Sequence, residues 1–457
     1  MKAVGFFYSW SGRRQLDPYF GAFARAFADL GIDLRIVLAN EMLDPSAGMR
    51  SLHPLVDESK LIAFVRAEGP DFLFSVNNAG MTARLQREAG VPVVKWLVDD
   101  VPHLFSHDGR APMSGDGEDG QTLICYSSTL LEQIEARFEG AAGKAFWVSH
   151  GTDLAGRPFE AAPASYPISF VGSCLDYRPI LRVLQAARPR GAAHQVLAAL
   201  AAVRTDYVRG CVELGPGPEL GRALADIGVG AAEFERHVAD AVTTQNRMEG
   251  LRRVADLGLH LFGNDLWLDS LSCTTELAER FEFDNRIDSY EKLLGVYARS
   301  RISVNIPNVQ NCAGLAARVF DIMASPSLLI TEHHPGSDLY ALFGEDCPVP
   351  MYRDFDHLRE LCAYYLANEA ERLRVVERCN ALVGERFLLR NRLGEMLRLA
   401  GISAPASRPA EPPSIVRRRA FHGVPRRVDR LGPAARLVAR KVGTKALSPL
   451  GRWLGPR

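Results

Sequence analysis

Residues 303–332 carry the polar side chains whose types and spacing most clearly suggest ligand chemistry. An alternating apolar stretch predicts a strand, an Asn- and Gly-containing loop follows, and a helix then leads to a second apolar run. Open α/β sheets bind ligands in the loops at the carboxyl ends of their parallel strands. The side chains expected to hold a phosphate-bearing ligand here are Asn305, Asn311, Gly314 and Arg318.

Arg318 opens the predicted helix of this segment, where the N-terminal amide dipoles already favour an anion. Asp321 lies three residues later and therefore on the same helix face. Glu332 ends the following strand and is expected to face the same opening. A cation for phosphate would thus stand beside acids that accept hydrogen bonds from hydroxyl groups. The alternatives are a surface salt bridge and solvent-exposed acids.

Two more predicted strand ends repeat this arrangement of small and polar residues. Gly172 and Ser173 follow one strand, where a small residue lets the backbone approach a phosphate, and Arg178 could add a bidentate cation. Gly263 and Asn264 follow another strand. An ordinary turn is the alternative interpretation of both.

Three residues that could accept a proton cluster after the apolar strand near residue 97. Asp99, Asp100 and His103 lie there, and a carboxylate or imidazole could take a proton from a hydroxyl group. His150 is a second candidate base, and capping of the next segment is the alternative role of the aspartates. The two aspartates are adjacent and do not alternate as in an Asp-x-Asp metal signature, so we expect no required divalent metal.

Alternating strands and helices position these residues in two halves. The first half spans residues 1–152, and a linker rich in Pro, Ala and Gly spans 153–165. The second half spans 166–400 and contains a helical insertion at about 180–256. Each half predicts a doubly wound parallel sheet. The expected class is α/β, with two Rossmann-like domains that face a cleft and a partly disordered basic tail, residues 401–457.

Composition indicates the compartment. Eight cysteines are scattered through 457 residues without a CxxC pair, which fits a reducing cytoplasm. The N-terminus shows no secretory signal, and no apolar run approaches the roughly 18 residues that cross a bilayer. We therefore expect a soluble or peripheral cytoplasmic protein.

The net charge of zero averages two unlike regions. Residues 401–457 contain 13 Lys or Arg and 2 Asp or Glu, so residues 1–400 carry the opposite net charge. Within 415–447, apolar residues recur every three or four positions among basic ones, which is typical of a membrane-surface segment. The expected partner is an anionic membrane, and a solvated or protein-bound tail is the alternative. Phe421 and Trp453 are the tail's only aromatic residues, which disfavours nucleic-acid binding.

The block 70–105 resembles the N-terminal domain of the CgeB-like (spore-maturation type) glycosyltransferases. Its matching residues are Ser75, Asn77, Trp96, Asp99 and Pro102. The second half resembles the matching C-terminal domain, which is similar to group 1 glycosyltransferases. Its matching residues include Gly172, Arg178, Gly263, Asn264, Trp267, Tyr290, Tyr297, Asn305, Arg318, Phe320, Asp321, Glu332, Arg372 and Phe387.

This resemblance implies the GT-B fold and the transfer of a sugar from a nucleoside-diphosphate donor to a protein, glycan or lipid acceptor. It implies that the second domain binds the donor, with Arg318 on phosphate and Glu332 on donor hydroxyls. Asp321 stands where the family usually has a ribose-binding Glu, and Ser325-Pro326 replaces a pair of small residues. The nucleotide sugar is a co-substrate, and no bound cofactor is expected.

Two other functions stay open. A two-domain dehydrogenase or epimerase would need a G-x-G-x-x-G fingerprint after the first strand, where this chain reads SWSGRR. A non-catalytic sugar- or nucleotide-binding module would keep the fold without the donor acid, and the substitution at Asp321 keeps that alternative open.

Overall fold

The computed structural model describes residues 1–8, 16–38, 58–99, 120–154, 164–206, 214–271, 274–285, 287–405 and 410–416. The predicted bases Asp100 and His103 lie outside these residues, as does the basic tail from 417 onwards.

The first domain is built on a seven-stranded parallel sheet with the order β12-β2-β1-β3-β4-β5-β6. Its strands are β1 (Lys2–Phe7), β2 (Asp33–Leu38), β3 (Phe72–Val76), β4 (Val93–Leu97), β5 (Gln121–Cys125), β6 (Ala145–Trp147) and β12 (Ser414–Ile415). Its helices are α1 (Pro18–Asp29), α2 (Glu58–Glu68), α3 (Ala83–Ala89) and α4 (Ser128–Arg137).

Aromatic side chains fill the core between this sheet and α1. The rings of Phe23 and Trp96 lie 4.4 Å apart, and those of Phe7 and Phe74 lie 5.9 Å apart. Strands β3 and β4 are buried along their whole length, as expected for parallel strands with helices on both faces. The sequence accordingly shows continuous apolar runs at these strands.

The second domain contains a five-stranded parallel sheet with the order β11-β10-β9-β7-β8. Its strands are β7 (Tyr166–Val171), β8 (Leu259–Phe262), β9 (Ser300–Asn305), β10 (Leu328–Glu332) and β11 (Met351–Tyr352). The helices that follow β7 are α5 (Arg178–Ala187), α6 (Ala193–Asp206), α7 (Pro218–Asp226) and α8 (Ala231–Val254). The later helices are α9 (Leu266–Leu271), α10 (Thr275–Ala278), α11 (Tyr290–Ala298), α12 (Ala317–Met323), α13 (Asp338–Phe343), α14 (Phe355–Ala367), α15 (Glu369–Val383) and α16 (Leu389–Leu399).

The predicted helical insertion at about 180–256 corresponds to α5–α8. These helices share an apolar core that includes Val183, Val196, Leu220 and Val238. The C-terminal part of α8 leaves this core, and its Leu251 and Val254 pack against the second sheet.

Helix α16 packs on the first sheet, although the sequence assigns residues up to 400 to the second domain. Leu393, Met396 and Leu397 join the core that contains Phe23 and Trp96. Strand β12, within the predicted tail, pairs in parallel with β2. An amphipathic pattern shows that a helix covers an apolar surface but does not identify which sheet provides it.

The strand order reverses between β1 and β3 in the first sheet and between β7 and β9 in the second. Such switch points open a crevice at the carboxyl ends of the strands. Both sheets are parallel and covered by helices, so the predicted fold of two Rossmann-like domains is confirmed.

Candidate functional site

The switch point of the second sheet brings Arg318 against the end of β7. Its Nη1 donates a hydrogen bond to the carbonyl oxygen of Val171 at 3.0 Å. A Cβ atom on Gly172 would lie 2.7 Å from that Nη1 and 2.8 Å from the ring of Phe170. Glycine at 172 therefore makes room for the guanidinium group of Arg318.

A second arginine, which the sequence analysis missed, lies beside the first. Arg247 on α8 is only 2% exposed, and its Nη1 donates to the carbonyl oxygen of Ser173 at 2.5 Å. Its Nε donates to the carbonyl oxygen of Ile306, just beyond β9, at 3.3 Å. Burial, together with the smaller effect of the charge on Arg318, lowers the pKa of Arg247 to about 9.

Neither guanidinium group forms an ion pair with a carboxylate in the described part of the chain. The two arginines instead donate to backbone carbonyl groups at the ends of β7 and β9. Two like charges thus approach each other at the mouth of the sheet. An anion would be stabilised at this position.

Arg178 lies at the surface and is engaged elsewhere. Its Nε and Nη2 donate to the two carboxylate oxygens of Asp176 at 2.7 and 3.0 Å. Its side chain is 57% exposed. Arg247 therefore occupies the place beside Ser173 that the sequence analysis gave to Arg178.

Gly263 and Asn264 shape the loop that follows β7. The amide of Asn264 accepts from the backbone N–H of Cys174 at 2.9 Å and donates to its carbonyl oxygen at 3.0 Å. The Nε1 of Trp267 donates to the carbonyl oxygen of Gly172 at 2.8 Å, and a Cβ on Gly263 would lie within 2.4 Å of this indole ring. Asn264 and Trp267 therefore hold the loop that carries Gly172 and Ser173, and Gly263 leaves room for the indole ring.

The loop between β9 and α12 touches the first domain. The hydroxyl of Tyr126 donates to Oδ1 of Asn311 at 3.4 Å. A Cβ on Gly314 would lie 2.6 Å from Cβ of Ser127 and 2.7 Å from the ring of Tyr126. This part of the predicted donor site therefore faces the opposite domain across a closed contact. Asn305, at the end of β9, donates from Nδ2 to the hydroxyl of Thr331 at 2.9 Å.

Asp321 belongs to α12 and is buried against α11, with 1% of its surface exposed. It accepts a short hydrogen bond from the hydroxyl of Tyr290. Burial raises the pKa of Asp321 to about 7, and the hydroxyls of Tyr290 and Thr152 offset only part of this rise. The Oδ2 atom nevertheless has no partner in hydrogen-bonding geometry.

The switch point of the first sheet gathers Tyr8, Asn77 and Asp99. The Nδ2 of Asn77 donates to Oδ2 of Asp99 at 2.5 Å, and its Oδ1 accepts from the backbone N–H of Val98 at 2.8 Å. Asn77 and Asn78 have φ angles of 50° and 58°, a left-handed backbone that asparagine tolerates better than most residues. Asp99 is thereby held at the carboxyl edge of the first sheet.

His150 is surrounded by aromatic rings. Its ring lies 5.5 Å from Tyr19, 5.3 Å from Trp96 and 5.2 Å from Tyr126, and its Nδ1 faces the hydroxyl of Tyr19 at 3.3 Å. Burial lowers the pKa of His150 to about 3. An imidazole with that pKa is a weak proton acceptor at neutral pH.

Within the residues that the structure describes, no group of three or more His, Cys, Asp or Glu is arranged to hold a metal ion. The same residues include no helix that is both long enough and apolar enough to span a membrane.

Residues 236–398 match a family model described as Glycosyl transferase-like. Over this segment the second domain is similar to glycosyltransferases. The glycosyltransferase-like segment contains Arg247, Arg318, Asp321 and Glu332, so both buried arginines lie within it. No curated protein sequence matches the chain.

Several solved structures are similar to this chain at low sequence identity. A glycosyltransferase from Rickettsia africae ESF-5 is 11% identical with a TM-score of 0.43, covering 87% of this chain and 98% of its own. Sucrose-phosphate synthase from Thermosynechococcus elongatus is 13% identical with a TM-score of 0.47 and the same coverage. Anabaena Alr3699/HepE, solved in complex with UDP, is 12% identical with a TM-score of 0.42, covering 87% of this chain and all of its own.

Proposed function

We propose that this chain is a glycosyltransferase that moves a sugar from a nucleoside-diphosphate donor in the second domain to an acceptor at the first. The observation that carries this proposal is the pair of guanidinium groups of Arg247 and Arg318 at the switch point between β7 and β9. The match of residues 236–398 to the glycosyltransferase-like family supports it.

A diphosphate suits this pair of cations. Arginine side chains bind phosphate oxygens through two parallel N–H donors, and no described acceptor occupies Nη2 of either residue. A diphosphate would relieve the repulsion between the two cations and stabilise the leaving group when the sugar departs. The cations would take the role that a divalent metal plays in other enzymes, so we propose a metal-independent reaction.

Asp99 is the proposed general base on the acceptor side. Its hydrogen bond from Asn77 fixes the carboxylate at the carboxyl edge of the first sheet. A carboxylate there can take the proton of an acceptor hydroxyl as the new bond forms. We retain the CgeB-like type, with a protein, glycan or lipid acceptor, as the finer proposal. It rests on the block 70–105.

Asp321 is the proposed ribose ligand. Its unpartnered Oδ2 could accept a hydrogen bond from a ribose hydroxyl while Tyr290 holds Oδ1. Because Asp321 is buried, this contact requires the surrounding side chains to move and expose Oδ2 to the donor.

Titration of the purified chain with UDP, GDP and dTDP by calorimetry tests the proposal. One nucleotide should bind, and Arg318→Ala and Arg247→Lys should weaken its binding at least tenfold. Arg253→Lys is the matched control, because Arg253 lies on the same helix and pairs with Asp356 at the surface. Circular dichroism checks that each variant is folded. Failure of all three nucleotides to bind would reject the proposal.

A non-catalytic nucleotide-binding module is the second candidate, favoured by the burial of Asp321 and its bond to Tyr290. The two functions differ in turnover. A transferase should slowly hydrolyse the nucleotide sugar that it binds, and Asp99→Asn should abolish this activity without preventing donor binding. Binding without any hydrolysis would favour the module.

We further propose that the chain acts in the cytoplasm, with residues 415–447 resting on the anionic inner face of the membrane. Each basic residue near such a surface contributes about 1 kcal/mol of attraction. Co-sedimentation with phosphatidylglycerol vesicles tests this. A chain that ends at Val416 keeps β12 and should stay in the supernatant, whereas the full chain should pellet at low salt. Equal binding by both chains would reject the membrane role.

A further inference from the structure

His334 follows β10 and presents an unused hydrogen-bond donor inside the second domain. The side chain is 6% exposed, and its Nδ1 accepts from the backbone N–H of Gly336 at 3.2 Å. Because Nδ1 is an acceptor, the neutral ring carries its hydrogen on Nε2. The Nε2 atom is buried and has no partner in hydrogen-bonding geometry, although the carbonyl of Cys312 lies near enough to act on the ring.

Asn305 provides an unused acceptor. Its Nδ2 is held by the hydroxyl of Thr331, which fixes the orientation of the amide. Its Oδ1 is buried without a hydrogen-bond partner, although the whole residue is only 3% exposed. A buried polar atom without a partner costs about 1–3 kcal/mol, so both atoms favour an occupant.

The two side chains line one cavity of about 30 Å³ beneath the loop between β9 and α12. Asn311, Thr331, Glu332 and Ser337 also contribute polar side chains to its wall, and Gly314 and Leu315 line it from the loop. A cavity of this size accommodates a water molecule or a hydroxyl group but not a sugar ring.

The chemistry of the cavity selects a neutral group that both donates and accepts. Burial lowers the pKa of His334, and the backbone carbonyls of His334 and Cys312 only partly oppose this, so the imidazole is neutral at pH 7. An amide oxygen and a neutral imidazole offer no charge to a phosphate or a carboxylate. A hydroxyl group both donates and accepts, so it has the chemistry to satisfy an amide oxygen and an imidazole N–H together.

We propose that Asn305 and His334 form a subsite that binds one hydroxyl or hydroxymethyl group of the transferred sugar. This inference rests on the proposed function, and it assigns a role to His334 that the sequence analysis did not foresee. The subsite discriminates among sugars at one position, since a site built for a hydroxyl rejects an analogue that lacks it.

The test compares binding of a nucleotide diphosphate with binding of the corresponding nucleotide sugar. Binding of UDP, GDP and dTDP is measured first, and binding of UDP-glucose, GDP-mannose and dTDP-glucose is measured next. His334→Phe should leave the Kd for the nucleotide diphosphate within about twofold of the wild-type value. The same variant should weaken binding of the nucleotide sugar roughly 10- to 100-fold. His333→Phe is the matched control, because His333 is the exposed neighbour.

Deoxy-sugar analogues of the bound donor keep the test independent of folding. In the wild-type chain, removal of one particular hydroxyl should weaken binding by the same roughly 10- to 100-fold, and the loss should disappear in His334→Phe. Equal effects on nucleotide and nucleotide sugar, or no sensitivity to any deoxy position, overturn the subsite while leaving the proposed function intact. Absence of nucleotide binding overturns both.

Discussion

The hydroxyl oxygen of Ser128 lies 2.5 Å from Oδ1 of Asp338, across the boundary between the two domains. The backbone N–H of Ser128 also donates to Oδ2 at 3.2 Å. Asp338 is 2% exposed, and burial raises its pKa to about 6. One carboxylate thus joins the start of α4 to the start of α13. Its own backbone N–H donates to Ala313 in the loop that bears Asn311 and Gly314, so the two domains are clamped beside that loop.

Ser128→Ala should lower the free energy of unfolding by about 1–3 kcal/mol, because it leaves part of a buried carboxylate without a partner. The cap of α4 is unaffected, since Ser127 provides it to the N–H of Leu130. Urea denaturation provides the measurement. Thr129→Ala, one residue along the same helix, should change the value by less than half as much. Equal unfolding free energies for the two variants would contradict the interdomain clamp.

Gly314→Ala should push the domains apart, because the new Cβ would overlap Ser127 and Tyr126. Small-angle X-ray scattering should show a larger radius of gyration for this variant. Gly336→Ala, where the nearest atom to a Cβ lies 3.6 Å away, should leave the scattering unchanged. An unchanged scattering profile for both variants would show that the contact at Gly314 does not determine the separation of the two domains.

Gly172→Ala should displace the guanidinium group of Arg318 and weaken binding of the nucleotide diphosphate by at least tenfold. The reason is the 2.7 Å separation between the new Cβ and Nη1. Gly295→Ala is the control, because a Cβ there meets no atom within 4 Å. Calorimetric titration of both variants with the nucleotide diphosphate measures the effect. Equal Kd values for the two variants would show that Arg318 does not contribute to donor binding.

Asp321→Asn should become more stable relative to wild type as the pH rises. The carboxyl of Asp321 has a folded-state pKa of about 7 against an ordinary value of 3.8, so the native state holds its proton to higher pH than the unfolded chain does. Its stabilisation is full below about pH 4 and is lost as the pH rises through 7. The difference between variant and wild type should grow by roughly 1.4 kcal/mol per pH unit in this window and then level off.

Urea denaturation at pH 5, 6, 7 and 8 measures this difference. Asp284→Asn, at an exposed position, should show no such trend. A constant difference for Asp321→Asn across the series would mean that this carboxyl ionises in the folded state as it does in the unfolded chain.

The sheets could be predicted from the sequence, since their strands are buried apolar runs. The apolar runs Phe72–Val76 and Leu259–Phe262 each predict a strand, and they coincide with β3 and β8. Gly172 was placed correctly at a strand end. These successes share one cause, because local hydrophobic pattern and turn chemistry determine them.

The contacts within the site could not be predicted in this way. Arg247 comes from a long helix 59 residues before Ile306, and its burial depends on how that helix crosses the sheet. Asp321 reads as an exposed helical acid until Tyr290 is brought against it by α11. Arg178 was the obvious cation by position, yet Asp176 satisfies it locally. Tertiary packing decides each of these, and a single sequence carries little trace of it.

The parallel pairing of β12 with β2 fixes the edge at which the chain leaves the first sheet. Strand β12 runs parallel to β2, so the chain leaves it at the same sheet edge that carries Tyr8, Asn77 and Asp99. A surface that captures the 12 basic residues that follow β12 would therefore be tethered on the proposed acceptor side. An acceptor embedded in that surface would experience a raised effective concentration, so its turnover should fall steeply with ionic strength while donor affinity stays nearly constant.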